Sequence, residues 1–217
     1  MNRERKEHFP LPLFLNGQGR KCVVIGGGAV ALRKTEDLVD AGAEVTVVAE
    51  IPDLRLEGLS SQGKITLVRR RFIADDMKGA FLAFVATDNE EDNKMIHAIA
   101  RGNGVLVNVV DNPDYCDFYS GAVVKRGPFQ IAVSTSGCSP ALAARIRGQL
   151  EGLYGESYNE FVRAVGEMRQ FILTHAPITD KKKKEALEWL AQDATYILFS
   201  NEGHEKVWQK LKDIISS

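Results

Sequence analysis

The 217-residue chain carries 28 Lys and Arg against 29 Asp and Glu, a formal net charge of -1, with 44% hydrophobic residues. That length and apolar content suffice for a real core without disulfides or a structural metal, and the balanced charge argues against a dedicated nucleic-acid or membrane-surface protein. Three cysteines, Cys22, Cys116 and Cys138, lack zinc-ligand spacing and leave one over from any disulfide pairing. With a charged start and no apolar stretch long enough for export or spanning, the expectation is a cytoplasmic protein.

In chain order, residues 1–8 read as a charged, frayed end, and residues 9–15 as an apolar run broken by Pro10 and Pro12, extended over the core. Cys22–Ile25 is a continuous apolar run ending at Gly26, as expected of a strand buried on both faces of a parallel sheet. A helical period follows over 29–41, with Val30, Leu38 and Ala41 inward and Gly42 as the stop. Further strands are read at 45–48, 65–68, 81–86 and 105–107. A helix over 88–101 turns Met95, Ile96, Ile99 and Ala100 inward. Strands alternating with helices imply a doubly wound α/β sheet, a Rossmann-like unit over residues 1–112.

Beyond a loop at 111–118, the runs 121–125 and 129–134 are joined by Arg126-Gly127-Pro128, a predicted hairpin. Ser139-Pro140 opens a helix, serine as N-cap and proline at its first position. Residues 113–150 thus form a small α+β segment. Residues 151–217 read as a C-terminal helical domain of three helices, with stripes at Phe161, Val165, Met168 and Ile172, at Leu187 and Leu190, and at Val207, Leu211 and Ile214. Lys181–Lys184 reads as a solvated helix start.

The run Gly26-Gly27-Gly28-Ala29-Val30-Ala31 lies between the first strand and the first helix and fits Gly-x-Gly-x-x-Ala. Gly26 permits the tight turn, Gly28 lets the backbone approach a pyrophosphate, and Ala31 allows close helix–sheet packing. The helix N-terminus at Ala29 and Val30 offers positive partial charge to the phosphates. An NAD site places an acid near the end of the second strand. Ala49 occupies that end and Glu50 follows it, a candidate for the ribose hydroxyls whose carboxylate would repel a 2′-phosphate; NAD is preferred over NADP. After the fourth strand, Thr87 is a candidate cofactor contact, and Asp88 is either a contact or the cap of the next helix. His8, His97, His175 and His204 are scattered without paired ligand spacing, so no metal site is expected.

The stretches Pro12–Leu15, Gly19–Lys34, Ala41–Val48, Phe84–Asp88, Asn108-Val109-Val110-Asp111 and Ile131–Ala143, with its Ser-x-Ser-Gly-x-Ser-Pro core, together resemble the siroheme-synthase family over residues 10–150. The resemblance is to stand-alone precorrin-2 dehydrogenases, some of which are also sirohydrochlorin ferrochelatases. It implies NAD-dependent oxidation of the tetrapyrrole precorrin-2 to sirohydrochlorin, with Fe(II) as a further substrate in bifunctional members. It also implies a homodimer made through the segment 113–150. Asp111 matches an aspartate important for dehydrogenation and chelation, and Ser134 a modified or substrate-near serine.

These assignments suit the chemistry. Precorrin-2 must lose a hydride and a proton, so NAD is the electron sink and Asp111 a sensible general base; Asp114 and Asp117 have weaker claims. The substrate bears many carboxylates, and Ser139, Arg145 and Arg147 at and within the helix, with Lys125 and Arg126 in the hairpin, offer charge-assisted hydrogen bonds. Cys116 and Cys138 flank the same region. The alternative is a regulatory module that senses NAD without catalysis.

Overall fold

The computed structural model describes residues 9–87, 89–174 and 178–216, and the chain packs as two compact units, Met1–Ser120 and Gly121–Ser217. His8, Asp88 and His175 lie outside the described residues.

The first unit is a five-stranded sheet in the order β3-β2-β1-β4-β5: β1 Lys21–Ile25, β2 Glu44–Val48, β3 Thr66–Val68, β4 Leu82–Val85 and β5 Leu106–Val109. Every neighbouring pair is parallel. Helices α1 (Ala29–Asp40), α2 (Leu54–Ser61) and α3 (Glu90–Gly102) lie between them in the chain. Because successive strand residues point to opposite faces, the apolar runs supply two cores. Cys22, Val24, Val45, Val47 and Phe84 pack under Leu32 and Leu38 of α1 and Leu56 of α2. Val23, Ile25, Ala83, Val85 and Val107 pack on the other face under Ile96 and Ala100 of α3. The strand order reverses between β1 and β4, where open α/β sheets leave a crevice at the carboxyl ends of their strands.

Buried on α1 at 8% exposure, Lys34 has its ammonium 5.2 Å from the Phe84 ring centroid. Burial, with the charge of Arg33, lowers its pKa, against the pull of Asp37. Beside it, the Thr35 hydroxyl is buried without a hydrogen-bond partner among the described residues.

Several expectations are corrected. The run 9–15 does not lie on the core: Phe9, Leu11, Leu13 and Phe14 are each two-thirds exposed or more. Val30 and Ala41 face outward, as does Met95, because Ala31, Leu32 and Thr35 form the buried stripe of α1 and Asn93, Ile96 and Ala100 that of α3. The helix expected from residue 88 starts at Glu90, and the described side chain that caps it is Asn89, which accepts from the Glu91 and Asp92 amides.

In the second unit, β6 (Ala122–Arg126) and β7 (Phe129–Val133) form an antiparallel hairpin turned at Gly127, where φ is +58°. Helix α4 (Pro140–Leu153) packs on this hairpin. Among the described residues four helices follow rather than three: α5 Ser157–Thr174, α6 Asp180–Leu190, α7 Asp193–Glu202 and α8 His204–Ser216. Met168, Ile172, Leu190, Val207 and Leu211 fill their core. A chain of ring contacts through Phe129, Tyr154, Tyr158 and Tyr196 ties hairpin to helices.

Candidate functional site

The glycine run is the loop between β1 and α1, at the carboxyl edge of the sheet. Gly26 has φ +123°, and a Cβ there would run into the Ala86 carbonyl at the end of β4. Its amide donates to the Val48 carbonyl at 3.0 Å, so this one residue touches the ends of both neighbouring strands. The fingerprint gives Gly27 no task, yet a Cβ on it would strike the Ile51 carbonyl, and its own carbonyl accepts from the Asp53 amide at 2.8 Å. The signal for it in the sequence is the unbroken Gly-Gly-Gly. A methyl group placed on Gly28 would meet nothing within 4 Å, so its α-carbon borders open space.

Gly28 is also the N-cap of α1, with no side-chain cap and no acid in the first turn. The amides at the start of α1, around Ala29 and Val30, therefore add positive partial charge to an open backbone cradle. That is the geometry a dinucleotide pyrophosphate requires, and the residues fit the group.

Ala49, buried, is the first residue past β2, and the exposed Glu50 follows it. The Glu50 carboxylate accepts from Nε of Arg71 at 3.1 Å. After β4, the Thr87 hydroxyl donates to Oδ1 of Asn93 at 2.6 Å, and Nδ2 of Asn93 donates back to the Thr87 carbonyl at 3.1 Å. Asn93, buried and missed by sequence reasoning, thus fastens the end of β4 to α3.

Asp111 stands two residues past β5, exposed and with φ +60°, a left-handed conformation uncommon for any residue but glycine. The loop that bears it is pinned to β5. Asn108 donates to the Phe118 carbonyl at 2.8 Å, and the Val107 amide donates to Asp117 at 3.1 Å. The Cys116 thiol lies 3.2 Å from the Val109 carbonyl and 3.3 Å from that of Asn112. Burial pushes the Cys116 thiol up, with the Asp117 charge adding to this against the Val109 hydrogen bond, so it stays protonated as a donor. Residue type alone does not mark Asn108 and Cys116 as supports of the Asp111 loop, because their partners lie on the other side of that loop.

The remaining candidates belong to the second unit. Ser134 is exposed just past β7, and its hydroxyl accepts from the Ser136 amide at 3.1 Å; Ser136 itself has φ +52°. Ser139 caps α4, accepting from the Leu142 amide at 3.3 Å. Arg145 and Arg147 lie on α4, Arg147 within 3.8 Å of Glu151, and Lys125 is exposed on β6. The Arg126 side chain is only 14% exposed, donating to the Tyr154 carbonyl at 3.0 Å and pairing with Glu156 at 3.2 Å, so it braces the hairpin against the turn after α4. Cys138 is exposed, and Cys22 is buried in the sheet.

Residues 13–122 match the family model described as "Putative NAD(P)-binding". The chain belongs to this NAD(P)-binding family. Within the NAD(P)-binding chain, residues 126–153 also match the model described as "Sirohaem biosynthesis protein central". The siroheme synthase of Nitrosococcus oceani is 40% identical over 75% of this chain and 35% of its own length. That of Psychrobacter cryohalolentis is 32% identical over 94% of this chain and 39% of its own. The chain therefore spans little more than a third of the curated relatives it matches. A solved structure, SirC, precorrin-2 dehydrogenase, superposes with a TM-score of 0.78 at 26% identity, covering 94% of this chain and all of that one. The resemblance to the siroheme-synthase family and the α/β fold with C-terminal helices are both borne out. Among the described residues no helix is long and apolar enough to cross a membrane.

Proposed function

We propose that the chain is an NAD-dependent precorrin-2 dehydrogenase, oxidising precorrin-2 to sirohydrochlorin on the way to siroheme. The observation that carries this reading is a shared edge. The glycine loop follows β1 and Asp111 follows β5, both at the carboxyl ends of one parallel sheet and two strand spacings, about 10 Å, apart. The likeness to siroheme synthases and to a precorrin-2 dehydrogenase structure supports the same substrate.

Gly26, Gly28, Ala29 and Val30 hold the pyrophosphate through backbone, Ala49 and Glu50 the adenosine ribose, and Thr87 and Asp88 are the candidate contacts that follow β4. When bound, NAD supplies the hydride acceptor. Asp111 takes the proton that precorrin-2 releases as it gives up that hydride, so two electrons and two hydrogens leave the tetrapyrrole. Lys125, Ser134, Ser139, Arg145 and Arg147 are our candidates for its carboxylate arms, since a capped helix start and surface cations favour anions. The tetrapyrrole is thus the partner molecule, and a homodimer is proposed through the hairpin and α4, where Val123, Leu142 and Leu153 are exposed. Three unpaired cysteines support a reducing cytoplasm.

The test is turnover: intact protein, NAD+ and precorrin-2, followed by NADH and tetrapyrrole absorbance. Asp111→Asn is expected to lower kcat by about a hundredfold or more while NAD binding persists. Tight NAD binding with no turnover in the parent would instead leave an NAD-sensing module. Fe(II) insertion into sirohydrochlorin by the same pair of proteins decides whether Asp111 also serves a chelatase step. Light scattering checks the dimer, which Leu153→Glu should weaken.

A further inference from the structure

Three consecutive arginines follow β3, and the structure treats them differently. Arg70 makes a two-pronged contact with Asp76, its terminal nitrogens 2.8 and 2.6 Å from the two carboxylate oxygens. Arg69 uses a terminal nitrogen on Glu57 at 2.6 Å. Arg71 reaches across from β3 to the end of β2 and touches Glu50 through Nε alone, at 3.1 Å. Among the described residues its two terminal nitrogens carry no hydrogen bond, and its side chain is 82% exposed.

Glu50 is the acid that the glycine loop makes the candidate for the adenosine ribose. By itself it would turn away a 2′-phosphate. Beside Arg71 the pair carries no net charge, and the open guanidinium fork matches the spacing of phosphate oxygens. The pair is exposed, so releasing it costs little. Ile51, next in the chain and exposed, gives the same rim an apolar face for adenine.

We propose that Arg71 is a specificity-determining residue that lets the ribose site accept the 2′-phosphate of NADP as well as the free hydroxyls of NAD. Glu50 takes the diol of NAD; Arg71 takes the phosphate of NADP. This rests on the dinucleotide reading of the loop and on Glu50 as its ribose acid, but not on the tetrapyrrole assignment.

Dissociation constants for NAD+ and NADP+, measured by calorimetry on the intact chain without tetrapyrrole, test it. The parent should bind both, with constants within about tenfold of each other. Arg71→Ala should weaken NADP+ about tenfold or more and leave NAD+ within about twofold, and Arg71→Lys should fall between. The loss should shrink as salt rises, because the site is exposed. Glu50→Gln should shift preference towards NADP+. Arg55→Ala, which removes another exposed arginine of the first unit, held by Asp53 at 3.5 Å, should leave the ratio unchanged. A parent that binds NAD+ but not NADP+, or an Arg71→Ala ratio within about twofold of the parent's, overturns the proposal. Failure to bind either dinucleotide would take down the reading of the loop itself, and the proposal with it.

Discussion

Gly26, Gly27 and Gly28 are chemically identical neighbours with different tasks. Gly26 has a backbone that other residues rarely adopt and abuts Ala86; Gly27 abuts Ile51; Gly28 borders open space at φ -84°, which any residue tolerates. Gly26→Ala is therefore expected to lower both Tm and NAD affinity. Gly28→Ala should hold Tm within about a degree or two but weaken NAD at least about tenfold, since its methyl enters the space a pyrophosphate needs; thermal melts and calorimetry separate the two. Thr35 gives a stability prediction of the opposite sign. Its hydroxyl is buried without a partner among the described residues, so Thr35→Val should be neutral or raise stability by up to about 1 kcal/mol in urea melts. Neither distinction is written in local sequence. The obstacles to a Cβ come from strands and loops tens of residues away, and Arg126 looks like Lys125 until Tyr154 and Glu156 fold against it.

Elements were legible where their pattern is strong. The strands of the first unit are short apolar runs bounded by glycine and polar residues, and α3 and α4 begin at side chains able to cap them. Asn89→Ala, which removes an acceptor for two amides, should cost about 1 kcal/mol, read by chemical denaturation. The helical part was legible in kind but not in number. Helix α7 buries only Thr195 among its residues, so it has no apolar stripe to reveal it. Thr195 instead donates its hydroxyl to the Trp189 carbonyl at 2.6 Å, satisfying the end of α6. Gly203, at φ +82°, then separates α7 from α8 in a single residue. The lysine run 181–184 behaves as its composition implies, a solvated helix face with Lys181 and Lys184 four residues before Glu185 and Glu188.

For the whole molecule, stability rests on separate cores: one on each face of the sheet in the first unit, and one among the helices of the second. Met168, fully buried among α5, α6 and α8, carries much of the helical core, and Met168→Ala should cost about 2–5 kcal/mol in denaturant titrations. In the first unit the Arg70–Asp76 pair makes stability depend on acid. Burial raises the Asp76 carboxyl, but the Arg70 hydrogen bonds and charge, the Ile73 amide and Lys21 together hold it below its usual range. Its folded pKa lies under the unfolded value, so its contribution is full above about pH 4 and is lost as pH falls through the folded value. Asp76→Asn should flatten that part of the Tm-against-pH curve. What the sequence by itself determined is what depends on neighbours along the chain: the βαβ alternation, the glycine loop and helix caps, and a family resemblance spread over 10–150. Only the tertiary structure decided which polar groups remain open. Glu50 is paired with Arg71, Thr87 is held by Asn93, Arg126 is engaged by Tyr154 and Glu156, and the apolar run 9–15 stays exposed. The first three depend on partners brought from other parts of the chain, and the last on no such partner covering the run among the described residues; residue type names neither outcome.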